Sequence, residues 1–505
     1  MEFLAFFGGV FEPYAFGVLV FGTLFGLVFG AMPGLSPTLT VALLIPFTLG
    51  MGATHGLILL GAAYTSTVAG GAVSAILLKI PGAPANIATA LDGNAMAKNG
   101  EGTRALHLSF LSSGVGGVIG IFLLIFLTPL LAKAAREFDA QHLFWLAILG
   151  VTVIGSLDTK SFVKGLLSGC IGLWISTIGY DDQLGTARFI FHDSLEGGVN
   201  VVPALIGLFA IPQVIDMFAS GRNNAVIDVV KAKAHSLKES VQEIKRSKKM
   251  LTIGTVIGSV IGVIPGVGGQ VAGLLAYDQA QKFSKDKAKF GTGHAEGLIA
   301  AESANNAMVG PSLVPMLTLG IPGSPTAAVL IGGLTIHEIF PGGDIFTKNP
   351  EVIWTFVNSM LIGQILMVVF GIFTAVYVAK IARAPKAAMA PIVLVLALFG
   401  AYSIGNSMGD VYVMLVLGLA MYFLEKFGFS AAPLVLGLIL GPIAAENYTF
   451  AFGNGTAQGI PVGIFFHGML SKLLVGLIIA SVAYSFWMNV LGKSETPNKK
   501  DSKNG

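Results

Sequence analysis

Residues Leu319 to Gly333 read LGIPGSPTAAVLIGG, a run apolar enough for a membrane but interrupted in its middle by Ile321-Pro322-Gly323-Ser324-Pro325. Proline removes a backbone donor and glycine relaxes the helix, so Pro-Gly leaves N–H and C=O groups without intrahelical partners. In hydrocarbon each such group costs several kcal/mol. The break is therefore tolerable only where it is buried in protein or lines a polar cavity, which marks it as a candidate binding site. Ser324 reads as an N-cap with Pro325 at the first helical position, so a half-helix should begin there. Its positive dipole end suits an anion.

The same device occurs three more times. Ile80-Pro81-Gly82-Ala83-Pro84 repeats it almost letter for letter, and Met32-Pro33-Gly34-Leu35-Ser36-Pro37 repeats the Ser-Pro cap as well. Ile264-Pro265-Gly266-Val267-Gly268-Gly269 is the fourth. Pro33 pairs with Pro81 in the first half and Pro265 with Pro322 in the second. One such break could be a packing kink; four in paired order indicate an internal duplication.

Composition agrees with a membrane environment. A chain of 505 residues with 54% hydrophobic and 11% charged residues, 66 glycines and a mean hydropathy of +0.79 is not a soluble globule but a polytopic helical membrane protein. The start, MEFLAFFGG, lacks a basic n-region and does not read as a cleavable signal. The single Cys170 excludes an intramolecular disulfide and is expected to pack. A net charge of +3, concentrated in loops, implies no nucleic-acid partner.

Residues 14 to 50 hold apolar limbs on either side of Pro33, each short of the roughly 20 residues needed to cross, which suggests a re-entrant hairpin. Residues 56 to 91 cross once through the Pro81 break, and spans are expected near 105 to 130, 142 to 157, 164 to 180 and 201 to 219. Residues 220 to 250 carry Arg222, Lys231, Lys233, Lys238, Lys245, Arg246, Lys248 and Lys249, so this linker is expected in the cytoplasm. A second hairpin follows around Pro265, and residues 290 to 336 cross through the Pro322 break. Spans near 387 to 405, 411 to 424, 430 to 445 and 471 to 490 complete the second half.

The resulting expectation is an all-α polytopic membrane protein with about 11–12 transmembrane segments. It comprises a first repeat over 1–219, the basic linker over 220–250, a second repeat over 251–490 and a polar tail over 491–505. The Pro81 segment runs inward and the Pro322 segment outward, an inverted repeat with re-entrant hairpins and broken helices, the architecture of alternating-access carriers. The N-terminus is expected outside and the C-terminus inside. Lys133 with Arg136 fits this topology poorly, since both must lie outside.

Small polar side chains surround the breaks: Ser36, Thr38 and Thr40; Asn86 and Thr89; Gln270; Ser324 and Thr326. With the freed backbone at Gly34, Gly82, Gly266 and Gly323, they are candidate substrate-binding groups. Backbone near Pro33, Pro81, Pro265 and Pro322 could replace the hydration shell of Na⁺. Glu302-Ser303-Ala304-Asn305-Asn306 precedes the Pro322 break and is too polar to face lipid. Asn305 and Asn306 are read as lining, while Glu302 is either an ion ligand or proton carrier, or a solvated residue near the cytoplasmic end. Lys79, directly before Pro81, either snorkels to the interface or faces the cavity as counter-charge to an anion. The histidines read as interfacial, with no metal-ligand cluster. Gly409-Asp410 superficially suggests an intramembrane aspartyl protease, but Ser407 stands where that motif needs glycine.

At these motifs the chain resembles the large membrane subunit of the tripartite tricarboxylate transporter family, called TctA-type. The residues that carry the resemblance are Pro33-Gly34-Leu35-Ser36-Pro37-Thr38 with Ala42-Leu43-Leu44-Ile45-Pro46-Phe47-Thr48, Ile80 to Pro84 leading into Ala90-Leu91-Asp92-Gly93, and Gly185-Thr186-Ala187-Arg188-Phe189. They continue through Gly207-Leu208-Phe209-Ala210-Ile211-Pro212, Ile264-Pro265-Gly266, Glu302 to Asn306 and Gly320 to Ala328. The resemblance implies a carrier of the bacterial cytoplasmic (inner) membrane that imports citrate-like carboxylates, driven by Na⁺ or H⁺ and needing no other cofactor. It also implies two partners, a small membrane subunit and a periplasmic solute-binding protein, for which the loops Asp181 to Gly198 and His337 to Glu351 would be docking surfaces. Lys79 departs from the family's usual asparagine, and Gln270 from a common acidic residue; a fixed ammonium at Lys79 would replace one coupling cation or serve a more anionic substrate. The alternatives are a carrier for another small organic anion and an intramembrane enzyme.

Overall fold

Helix boundaries follow the prolines and caps read from the sequence. The computed structural model describes residues 2–157, 161–181, 185–219, 235–264, 268–381 and 386–490. Pro13 opens helix α1 (Pro13–Ala31), and after the Pro33 break Ser36 caps α2 (Pro37–Thr48), its hydroxyl accepting from Leu39 N at 3.2 Å. Helix α3 (Ala53–Leu78) runs to the Pro81 break, followed by α4 (Ile87–Lys98) and the long α5 (Gly102–Ala135). Helices α6 (Ala140–Leu157) and α7 (Phe162–Ile175) lead to a two-stranded antiparallel hairpin, β1 (Gly179–Asp181) and β2 (Thr186–Arg188), with Tyr180 opposite Ala187.

Helix α8 (Val201–Ala219) precedes the linker, whose described part forms α9 (Leu237–Arg246) under a Ser236/Glu239 capping box. The second half then presents α10 (Lys248–Val263), α11 (Gly268–Phe283), α12 (Ala295–Ala307), α13 (Val309–Leu319), α14 (Pro325–Thr335) and the long α15 (Pro350–Ile381). Helices α16 (Lys386–Gly405), α17 (Met408–Lys426), α18 (Ala431–Ala457) and α19 (Gly468–Val490) complete the described chain. Among the described residues eight helices are long and apolar enough to cross a membrane, with five shorter apolar helices besides, so the chain is an all-α multi-pass membrane protein.

The expected span over 164 to 180 is corrected. Helix α7 stops at Ile175, and Gly179 takes the left-handed φ of 119° that starts the hairpin.

The described residues fall into two compact units, one drawn from Met1–Glu137 with Ile190–Tyr422, the other from Phe138–Phe189 with Phe423–Gly505. In the second unit α6, α7, α18 and α19 pack together, tied by Trp145 Nε1 to Phe465 O at 2.6 Å and Ser168 Oγ to Ser430 O at 3.0 Å. The first unit centres on α3, whose apolar window is wholly buried and which packs on α1, α2, α4 and α15. Helices α12 and α13 are likewise buried, against α5, α10 and α11. The hydroxyls of Thr65, Ser66, Thr67 and Ser74 on α3 bond back to carbonyls three or four residues earlier, so the helix carries polar atoms through the core without orphaning them.

Two ties close the ends of the half-helices. Asp92 Oδ1, fully buried at the middle of α4, accepts from the backbone N–H groups of Gly291, Gly293 and His294 at 2.8, 2.9 and 2.8 Å. His337, just beyond α14, pairs its Nε2 with Thr48 Oγ1 at the end of α2 at 3.0 Å.

The backbone at the Pro81 and Pro322 breaks is held alike. Gly82 N donates to Gly71 O at 3.4 Å and Gly323 N to Ser312 O at 3.1 Å; Ile80 N reaches Ser74 O and Ile321 N reaches Pro315 O. Both helices end in the left-handed region, at Gly320 with φ 72° and at Lys79 with φ 57°. Glycine adopts this freely, but lysine is strained there by roughly 1–2 kcal/mol. Lys79→Gly should raise the thermal unfolding midpoint of the purified protein in detergent, by the equivalent of about 1 kcal/mol; a lowered midpoint would show that the lysine side chain stabilises more than its backbone costs.

Candidate functional site

The half-helices begin close to one another. Ser324 Oγ caps α14 by accepting from Ala327 N at 3.1 Å, as Ser36 caps α2, and the first turns of the two helices meet where Thr38 Oγ1 and Thr326 Oγ1 lie 3.0 Å apart. Pro325 of α14 is in turn near the start of α11, since a Cβ at Gly268 would stand 3.8 Å from Pro325 Cδ. A Cβ at neighbouring Gly269 would stand 2.5 Å from Asn305 Oδ1 and 3.1 Å from Ala85, next to Asn86 at the entry to α4. The starts of α2, α14, α11 and α4 thus form a continuous set of helix N-termini.

Thr38, Ser324, Thr326 and Asn305 of the expected residues lie at these helix starts. Thr38, Gly82, Asn86, Asn305, Asn306, Gly323, Ser324 and Thr326 are buried, while Ser36 and Gly34 are partly exposed, Gly34 with φ 96°. Pro33 and Pro322 are buried and Pro81 partly so. Pro265 and Gly266 lie outside the described residues, and so does the side chain of Gln270, although its backbone belongs to α11. Lys79 stands apart, exposed at the end of α3. Glu302 is corrected in its solvated alternative, because its side chain is fully buried.

Glu302 organises a second polar cluster beside the Pro81 break. Its Oε1 accepts from Thr89 Oγ1, and its Oε2 from Ser109 Oγ at 3.1 Å and Ser113 Oγ at 2.8 Å. Asn306 Nδ2 donates to Ser113 Oγ at 2.8 Å. The buried carboxamide of Asn305 has neither atom hydrogen-bonded, and Asn86 Oδ1 and Asn306 Oδ1 also lack partners among the described residues. A buried amide without partners costs about 1–3 kcal/mol, so these groups mark a place where polarity serves something other than stability.

Tyr64, Ser312, Ser109 and Ser113 were not singled out in the sequence. Tyr64 lies in an Ala-Gly-rich run of α3 yet sends its hydroxyl to Ser324 Oγ at 3.0 Å and Ser312 Oγ at 3.2 Å. The i, i+4 spacing of Ser109 and Ser113 on an otherwise apolar helix was the available signal.

Fold and site define a polytopic helical membrane protein whose buried interior is polar where its helices break. The chain belongs to the TctA family of tripartite tricarboxylate transporters, described as "Tripartite tricarboxylate transporter TctA family", whose sequence model matches residues 16–436. It is therefore a transporter component and not an enzyme. The uncharacterized 52.8 kDa protein in the TAR-I ttuC' 3'region of Agrobacterium vitis is 34% identical over 409 residues, 81% of this chain and 81% of that protein. The uncharacterized protein in the TAR-II ttuC' 3'region of the same organism is 34% identical over 231 residues, 45% of this chain and 93% of that protein. No solved structure matches the chain.

The tie beside the α2–α14 pair titrates. Burial holds the His337 imidazole below its usual value of 6.5. On acidification the unfolded chain takes up this proton first, so the associated stability is complete above that ordinary value and is lost as pH falls through the lower folded one. The thermal midpoint of the wild-type protein should fall on acidification below about pH 6.5, the unperturbed histidine value, and His337→Gln should flatten that slope; equal slopes in the two proteins would refute the assignment.

Proposed function

We propose that this chain is the large transmembrane subunit of a binding-protein-dependent secondary transporter that imports citrate-like tricarboxylates or related carboxylates, coupled to Na⁺ or H⁺ by alternating access. The observation that carries the reading is the convergence of half-helix N-termini at Thr38, Thr326, Gly268 and Asn86. Helix N-termini present backbone N–H donors and a positive dipole end, and a carboxylate takes both. Thr38, Ser324 and Thr326 add hydroxyls, and Asn305 adds a carboxamide able to donate and accept. Gly82 and Gly323 let the broken backbone pass close to neighbouring helices; a Cβ at Gly323 would come within 2.6 Å of Gly262 O.

The two halves, 1–219 and 251–490, act in this reading as inverted repeats around that centre, joined by the cytoplasmic linker 220–250 and ending in the tail 491–505. The matched bonds at the Pro81 and Pro322 breaks support it. So does a reciprocal packing, in which α3 of the first half rests on α15 of the second, and α12 and α13 of the second on α5 of the first. Alternating access then consists of one half moving against the other around a fixed midplane site. The protein resides in the bacterial inner membrane, N-terminus outside and C-terminus inside, with a small membrane subunit and a periplasmic solute-binding protein as partners.

Proteoliposomes holding this chain and its small partner, supplied with the cognate binding protein, should accumulate labelled citrate under a Na⁺ or pH gradient. Thr326→Val should lower uptake by roughly ten- to a hundredfold, equivalent to about 1–3 kcal/mol from one lost hydrogen-bonding group, while the thermal midpoint stays near that of wild type. Absence of uptake for a panel of tri- and dicarboxylates under both gradients would overturn the reading.

A further inference from the structure

Three elements each bring one pair of polar side chains to the same buried place. Asn86 and Thr89 come from the entry and first turn of α4, Ser109 and Ser113 from adjacent turns of α5, and Glu302 and Asn306 from adjacent turns of α12. All six are at most 1% exposed. The three hydroxyls donate to the Glu302 carboxylate, and among the described residues no basic side chain pairs with it. A carboxylate buried without a counter-charge is costly even when hydrogen-bonded. Two further acceptors, Asn86 Oδ1, which lies against Gly71 of α3, and Asn306 Oδ1, have no donor among the described residues.

The fold itself does not require this polarity. When Pro81 is laid on Pro322, Glu302 corresponds to Gly61, and the long helix facing Gly61 presents Phe356 and Met360 there. A Cβ at Gly61 would lie 2.6 Å from the Phe356 ring and 3.0 Å from Met360 Cγ. The same junction is thus apolar in one half and lined with oxygen in the other.

We propose that Asn86, Thr89, Ser109, Ser113, Glu302 and Asn306 form a sodium-ion site, the coupling-cation site of this carrier, separate from the carboxylate-binding helix ends at Thr38 and Thr326. The inference rests on the reading of the chain as a cation-driven carrier. The donor set is one carboxylate, three hydroxyl oxygens and two amide oxygens. Hard cations take such all-oxygen sets, and a single carboxylate balances a single positive charge, whereas Ca²⁺ sites draw on several carboxylates. When the ion enters, the hydroxyls turn their lone pairs to it and their hydrogens away, and the two unpaired amide oxygens gain a partner. A proton on Glu302 would neutralise the charge but would supply one donor for two amide acceptors. Among the described residues no three His, Cys, Asp or Glu side chains converge on a metal, so nothing here resembles a transition-metal site.

The test is equilibrium binding of radioactive sodium ion to the purified full-length chain in detergent at constant ionic strength, with choline replacing Na⁺ and no carboxylate present. Binding should be saturable in the wild type. Glu302→Gln and the nearly isosteric Thr89→Val should each weaken it at least tenfold, while Thr89→Ser, which keeps the oxygen, should leave it within about threefold. Sodium should raise the thermal midpoint of wild type and Thr89→Ser but not of Thr89→Val, so a fold defect in Glu302→Gln would not obscure the result. Undetectable sodium binding by folded wild type, or equal binding by Thr89→Val, would overturn the site; a midpoint that follows pH rather than Na⁺ would overturn it in favour of a proton. Normal sodium binding without any carboxylate uptake would instead count against the substrate reading and leave this site standing.

Discussion

A backbone amide without a partner inside a membrane is the constraint on which this structure depends. Each Pro-Gly break creates several such groups at once, and among the described residues the chain answers by burying Pro33 and Pro322 in protein and supplying substitutes. Ser36 and Ser324 cap the new helices, Gly82 and Gly323 donate to carbonyls of the preceding helix, and Tyr64 reaches across to Ser312 and Ser324. The helix starts that result are polar, and at Thr38, Ser324 and Thr326 they are buried.

Around the breaks the polar side chains are distributed unevenly. Glu302 and its hydroxyl donors occupy one junction of broken and long helices, while Phe356 and Met360 fill the other. The Pro322 break is sealed from Gly320 to Ser324, whereas Lys79, Ile80 and Pro84 beside the Pro81 break are exposed. Similar backbone bonds hold the Pro81 and Pro322 breaks, while the side chains beside them differ in polarity.

Much of this was legible because it is local. Ser-Pro after Pro-Gly announces a cap and a first helical residue within five positions, and α2 and α14 begin where those rules place them. What could not be read depends on partners far along the chain. The burial of Glu302 is set by Thr89, Ser109 and Ser113, nearly two hundred residues earlier, and composition gives no hint of which side of a helix meets them. Lys79, for which the sequence left open both snorkelling and a cavity-facing role, is exposed at the end of α3. Helix α7 ended early where the chain turns into the hairpin that begins at Gly179, a local turn that hydropathy does not register.

The tie at Asp92 bears on how the protein is made. Its three donors, Gly291, Gly293 and His294, follow it by about two hundred residues. While a ribosome is still translating the linker, the first half has been synthesised but its Asp92 carboxylate has nothing to hold, and the donors to Glu302 have no acceptor. The Asp92 and Glu302 ties can therefore form only after the loop before α12, and then α12 itself, have been synthesised. Assembly of the two halves is an event of late translation, and the chain's own polar clamps record its completion.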